Sequence, residues 1–161
     1  MKKLVLSALL SLGVLACMPP LPTVVTLPDV ELPVVSEETV VWNSAEYKGK
    51  PALVVFMGSW CPWCKKTMPA VMEIANEFGD QVEIVAVFMD GDATPVKNAI
   101  KEHKFTVKSA YNGAELAQAL QVQGLPHSVL FDKKHRAIAS WDGYSPERAN
   151  DYRTALQKLV K

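Results

Sequence analysis

Apolar and polar positions along the chain fall into blocks of two kinds. Ala52 to Met57 is apolar throughout, as is Val82 to Met89 apart from Glu83; unbroken runs of this length predict strands covered on both faces. Between them Met68, Val71, Met72, Ile74, Ala75 and Phe78 recur near helical period, predicting a helix from Pro62 to about Phe78 with Gly79 as its stop. Beyond the turn Asp90-Gly91-Asp92 the pattern predicts a helix from Ala93 to about His103, a short strand at Phe105–Val107 and a short helix from Glu115 to Val122, ended at Gly124. His127–Phe131 and Ala137–Trp141, joined by the polar turn Asp132–His135, read as an antiparallel hairpin. Ser145 followed by Pro146 and Glu147 has the chemistry of a helix start, and Tyr152, Leu156 and Leu159 give that last helix its packing stripe. Thr39–Trp42 reads as a first short strand and Asn43–Lys50 as a turn. Strand, helix, strand, helix, then hairpin and helix is a mixed α/β layer architecture, with 37–161 as the folded domain.

The first 36 residues have a different texture. Lys2 and Lys3 precede an uncharged stretch from Leu4 to Ala16, which is shorter than the about 20 residues of a comfortable membrane span and has the form of an export signal over 1–16. Its end, Val14-Leu15-Ala16-Cys17, resembles a bacterial lipoprotein signal; the resemblance implies cleavage before Cys17 and lipidation of that cysteine, hence a membrane anchor at the cell envelope. An ordinary secretory signal cut nearby, with Cys17 a stray thiol, is the plainer alternative. Pro19, Pro20, Pro22, Pro28 and Pro33 then sit among Val, Leu and Thr, and we read 18–36 as an extended tether in preference to an edge strand contributed by Val24–Leu27.

Composition narrows the function classes. The chain has 161 residues with formal net charge zero, enough for one sizeable core, and a pI of about 6.8. No basic cluster exceeds Lys-Lys pairs, so nucleic acid is not an expected partner.

The chemistry concentrates at Trp60-Cys61-Pro62-Trp63-Cys64, between the first buried strand and the first long helix. Pro62 suits the first helical turn, which places Cys61 at the positive end of a helix, where a thiolate is favoured. Cys61 is thus the expected nucleophile and Cys64, one turn on, the resolving cysteine of a dithiol that needs no other cofactor. Pro62 and Trp63 bring no positive charge between the cysteines, so a less oxidising pair is expected than one with a histidine there. Trp60 is expected to shield the sulfurs and offer apolar surface to a partner; for Trp63, exposure and packing stand even.

The segment Val54 to Pro69 resembles the active-site stretch of thioredoxin-fold proteins, with most similarity to the TlpA/ResA type, which are membrane-anchored and extracytoplasmic. Pro69 matches that superfamily's helix-kinking proline, Gly124-Leu125-Pro126 matches its cis-proline loop facing the dithiol, and the piece from Ala93 to Val107 matches the βα insertion of this branch. The resemblance implies a thioredoxin-like fold and a thiol–disulfide oxidoreductase. It also implies a substrate chain docking against Leu125 and Pro126 beside Trp60, Pro62 and Trp63. Its partners would be exported proteins bearing thiols or disulfides and a membrane thiol-reductant carrier, with cytochrome c maturation a common destination in the family.

Two departures from the family pattern qualify this. His127 replaces the usual small hydroxyl residue after the proline, where its ring would tune the Cys61 thiolate if it lies near it. The buried acid and lysine of thioredoxins fall on Val55 and Ala86, so deprotonation of Cys64 is left to water, His127 or a carboxylate such as Asp90 or Glu73. His103 and His135, in polar surroundings, are expected to do nothing specific. The rival from another class is a copper-binding module holding Cu(I) with Cys61, Cys64 and His127. A thiol peroxidase would need a Thr and Arg around one cysteine, and no such motif flanks Cys61.

Overall fold

The computed structural model describes residues 24–36 and 40–160. The two unbroken apolar runs become the central strands β3 (Ala52–Met57) and β4 (Glu83–Phe88), every residue of each buried, and the helical stripe between them becomes α1 (Pro62–Phe78). Around them come β1 (Glu31–Pro33) and β2 (Val41–Asn43), α2 (Ala93–His103), β5 (Ser109–Ala110), α3 (Ala114–Ala119), the hairpin β6 (His127–Phe131) and β7 (Ala137–Asp142), and α4 (Arg148–Leu159). The main sheet has the order β5-β4-β3-β6-β7; β5, β4 and β3 run parallel, β6 and β7 antiparallel to their neighbours.

Strand alternation splits the core in two. Leu53, Val55 and Met57 face α1, α2 and α4, where they meet Cys64, Met68, Val71, Ile74, Val96, Tyr152 and Leu156. Ala52, Val54 and Phe56 face the other way, onto α3 and a small β1-β2 ribbon, where they meet Leu27, Leu32, Trp42, Leu116 and Leu120. The result is a three-layer thioredoxin-like fold.

The ribbon corrects the expected tether. Residues 24–36 lie on the domain: Thr26 bridges Arg136, Leu27 N–H donates to the His135 carbonyl at 2.9 Å, Leu32 pairs with Trp42, and Leu27 and Leu32 are buried. Proline does not prevent this, because an edge needs few donors. Pro28 and Pro33 contribute carbonyls, which accept from Ser44 Oγ (2.8 Å) and Tyr111 N–H (3.0 Å). The expected signal 1–16, Cys17 and the first part of the tether lie outside the described residues.

Smaller differences have local causes. Phe105 and Val107 are not a strand; both plug the α1-side core, and the two-residue strand pairing β4 follows at Ser109–Ala110. Pro146 and Glu147 precede α4 rather than open it, and Ser145 Oγ accepts from Glu147 N–H at 3.2 Å in a turn ahead of the helix. His135 is buried rather than solvated, with a left-handed φ of 58° and Nε2 3.2 Å from the Tyr47 carbonyl, where it helps seat the N-terminal segment.

Candidate active site

The end of β3 delivers the chain through Gly58 and Ser59 to the start of α1. Cys61 is the N-cap of that helix, with extended backbone (φ −86°, ψ 114°) and Pro62 in the first turn. Its sulfur takes the place a capping oxygen would have, accepting the Cys64 backbone N–H at 3.3 Å at the positive end of the helix dipole. Cys61 Sγ also lies 3.8 Å from the carbonyl oxygen of Leu125, and the Leu125–Pro126 peptide bond is cis. The sequence-distant pieces Trp60–Cys64 and Leu125–Pro126 therefore meet at one sulfur. Both cysteines are free thiols.

They differ in environment. Cys61 retains a sliver of surface, whereas Cys64 has none. Burial, with hydrogen bonding to Cys61, pushes the Cys64 thiol well above the ordinary thiol range. The neutral form of Cys64 therefore stabilises the reduced fold below the thiol range of the unfolded chain, about pH 8.5, and that contribution is lost as pH rises through the folded value. At pH 8 iodoacetamide is expected to modify Cys61 but not Cys64 in the native protein, and Cys64 only in denaturant; equal rates at the two on the native protein would contradict this assignment, and tandem mass spectrometry, which separates both from Cys17, reads it directly.

Exposed aromatic surface surrounds the sulfur. Trp60 is 62% exposed, and its indole lies over Gly58, where a Cβ would come within 2.9 Å of Cε2 and Cζ2. Trp63 is 52% exposed and stacks on Tyr144, with ring centroids 5.6 Å apart and planes at 23°. Trp63, Leu125, Gly143 and Tyr144 line a cavity of about 310 Å³ beside the nucleophile.

The loop is fastened from behind by Asp90, at the end of β4. Its carboxylate is buried and accepts from both the Ser59 backbone N–H (3.0 Å) and the Ser59 hydroxyl (2.5 Å). Asp90 is thus a positioning residue for the loop. Asp90→Ala leaves both donors unpaired and is expected to cost about 1–3 kcal/mol in urea unfolding, with Asp90→Asn, which keeps one acceptor, falling between the two. Neither carboxylate suggested as a proton acceptor for Cys64 is hydrogen-bonded to it: Asp90 is spent on Ser59, and Glu73 is held by Arg153 at the surface. Opposite Val55 in β6 lies Ser128, whose hydroxyl pairs with the buried Tyr152 hydroxyl at 2.5 Å. Burial pushes the Tyr152 phenol up to about 12. The polar group on the α1 side of the sheet is thus a neutral hydroxyl pair.

His127 does not take the tuning position. It pairs with Phe56, so its ring points to the α3 side of the sheet, away from α1, and its Nδ1 is 2.6 Å from Asp142 Oδ1. The third ligand of the copper reading is thereby turned away from the two sulfurs, and no three His, Cys, Asp or Glu side chains among the described residues are grouped to hold a metal ion. The elements that sequence reasoning missed, Tyr144 and Gly143 after β7 and Arg148 on α4, reach the site only through the hairpin. Arg148 is buried and donates to the carbonyls of Asp142 and Gly143 (3.1 and 3.0 Å), and Gly143 N–H donates to the Pro126 carbonyl (2.8 Å). Gly143, at φ 65°, turns the chain so that Tyr144 reaches Trp63.

Comparison with known proteins agrees with this geometry. The Redoxin family model matches residues 24–156. Thiol-disulfide oxidoreductase ResA of Bacillus thuringiensis subsp. konkukian is 32% identical over 118 residues, which are 71% of this chain and 66% of that protein. The chain thus spans just under two thirds of that relative. Methylamine utilization protein MauD of Methylobacillus flagellatus is 29% identical over 85 residues, covering 53% of this chain and 40% of its own. Among solved structures, the thioredoxin domain of a thiol-disulfide oxidoreductase from Bacteroides vulgatus superposes with TM-score 0.74 at 23% identity, over 88% of this chain and 99% of that one. The exposed lipoprotein thioredoxin of Streptococcus pneumoniae superposes with TM-score 0.70 at 24% identity, over 82% and 100%. The family match over most of the chain, the fold and the paired motifs lead to one assignment: this chain belongs to the Redoxin family, as a thioredoxin-like member of TlpA/ResA type.

Proposed function

We propose that the protein is a thiol–disulfide oxidoreductase that reduces disulfides in exported proteins. The observation that carries this reading is the Cys61 sulfur itself: it caps a helix, receives the Cys64 N–H at 3.3 Å, and opens beside Leu125 onto an aromatic surface. As thiolate, Cys61 attacks one sulfur of a substrate disulfide; the S–S bond breaks, the other substrate sulfur leaves as thiolate and takes a proton, and a mixed disulfide forms. Cys64 then gives up its proton and attacks Cys61 Sγ. The second substrate thiolate departs, and two electrons have passed to the substrate while Cys61 and Cys64 become a disulfide. Leu125, Pro126, Trp60, Pro62 and Trp63 hold the extended substrate strand during the exchange.

Two features support the reducing direction and the setting. No cation stands between the cysteines at Pro62 or Trp63 to stabilise the reduced form further. The segment Leu4–Cys17 has lipoprotein-signal character, so we place the protein on the extracytoplasmic side of a bacterial membrane, anchored through Cys17. A reductase there requires recharging, for which a membrane thiol-reductant carrier is the fitting partner, with cytochrome c maturation as one destination. The dithiol needs no further cofactor. The reduction potential of the pair, read by tryptophan fluorescence in dithiol buffers, tests the proposal. About −250 mV or lower is expected; about −120 mV would make the protein an oxidant, and no two-electron transition would remove the oxidoreductase reading.

A further inference from the structure

We propose that the groove lined by Leu125 and the stacked Trp63 and Tyr144 rings selects substrate segments that carry a carboxylate side chain close to their disulfide, and that Lys66 reads it. The inference rests on the oxidoreductase reading and adds the chemistry of the substrate. Lys66 lies one turn after Trp63 on α1, its ammonium 4.4 Å from the Trp63 ring centroid and 5.9 Å from that of Tyr144. The two stacked rings that contact the cation also line the cavity shared with Leu125 and Gly143, and the Leu125 carbonyl is 3.8 Å from the Cys61 sulfur. A substrate segment that leaves Leu125 across the Trp63 and Tyr144 rings comes within side-chain reach of Lys66.

The charges around this groove are committed, except that one. Lys65 faces Glu102 at 3.9 Å. Glu73, which shares the flank of α1 with Lys66, is held by Arg153, which also binds Glu77 at 2.7 Å. Asp142 faces His127, and Arg148 turns inward to the 142–143 carbonyls and Asp151. Among the described residues no carboxylate is paired with Lys66. Cation–π contact positions an ammonium without neutralising it, so an incoming carboxylate completes the arrangement with a charge-assisted hydrogen bond. The wall that keeps the rings in place is fixed by the Gly143 N–H, which donates to the Pro126 carbonyl, and by the Arg148 guanidinium, which donates to the Gly143 carbonyl, so the site is built before substrate arrives.

Three synthetic disulfide peptides, identical except for Glu, Gln or Lys two residues from the cysteine, provide the test. Their reduction by the protein is followed by stopped-flow tryptophan fluorescence at low salt. The expected order of rates is Glu, then Gln, then Lys, with Glu about threefold or more faster than Gln, the advantage shrinking as salt is added. Lys66→Gln is expected to bring the Glu and Gln peptides together, and Lys66→Glu to reverse the order in favour of Lys. Lys66 is exposed, so both variants retain the core. Equal rates on all three peptides with the unaltered protein, or an unchanged order in Lys66→Glu, would overturn the proposal. Failure to reduce any of the three would overturn the oxidoreductase reading and this proposal with it.

Discussion

A Cys64→Ser protein is expected to stall on its substrate as a covalent mixed disulfide, with turnover reduced by several orders of magnitude. The reason lies in the asymmetry of the two sulfurs. Cys61 stands at the N-cap with surface access and the Leu125 carbonyl alongside, so the first exchange proceeds without Cys64. Only a second thiol on the same helix turn, that of Cys64, whose backbone N–H already reaches the Cys61 sulfur at 3.3 Å, can then attack that sulfur quickly, and a serine hydroxyl cannot. Cys61→Ser is expected to lose turnover equally but to accumulate no adduct, because Cys64 is fully buried and its thiol is held protonated. The double substitution should be no worse than either single one, since the pair acts as a unit. Non-reducing gels and intact mass after incubation with a disulfide-bearing protein read all three. Adduct formation by Cys61→Ser at the rate of Cys64→Ser would reverse the assigned order of attack.

What the sequence displayed of this site was its chain-local part. The buried strand, the proline at the first helical position and the spacing of Cys61 and Cys64 all lie within Ala52–Phe78, where period and capping chemistry suffice. The role suggested for His127 failed on parity. Adjacent residues of a strand point to opposite faces, and the register Val55↔Ser128 sends Ser128 toward α1 and His127 away from it. No periodicity in His127–Phe131 carries that register, because the whole strand is buried. Tyr144 is far from Trp63 and Lys66 in sequence and meets them through the hairpin and a glycine at φ 65°, so its stack on Trp63 had no local signal. Asp90 was visible as a turn residue after a buried run, but its use as a clamp for Ser59 depends on β3 and β4 being parallel neighbours in the sheet. The short β5 escaped for a simpler reason: two residues are too few to show alternation, and the apolar pair just before them, Phe105 and Val107, serves the core instead.

The N-terminal segment was misread because composition speaks to propensity and not to edges. Proline density argues against helix and central strand, and it does so correctly here; it does not argue against an outer ribbon in which prolines supply only carbonyls. Trp42→Ala tests how much the domain relies on that ribbon. Trp42 is 1% exposed, pairs with Leu32 across the β1-β2 ladder, and shares its cluster with Leu27, Val54, Phe56 and Phe131. Truncating it leaves a large void between the ribbon and the sheet, and an expected loss of about 3–5 kcal/mol in urea unfolding. Leu32→Ala, from the opposite strand of the ladder, is expected to cost about 2–5 kcal/mol. Trp42→Phe separates volume from polarity. The indole Nε1 is buried with no acceptor, so phenylalanine keeps most of the ring and removes an unpaired donor, and a cost below about 1.5 kcal/mol follows. If the stretch before β2 were a solvated spacer, Leu32→Ala would stay within about 0.5 kcal/mol of the unaltered protein, as surface substitutions do. A large loss at both Leu32 and Trp42 instead makes residues 24–36 part of the cooperative unit, one that buttresses β3 from the face opposite the dithiol and so holds the strand that delivers Cys61.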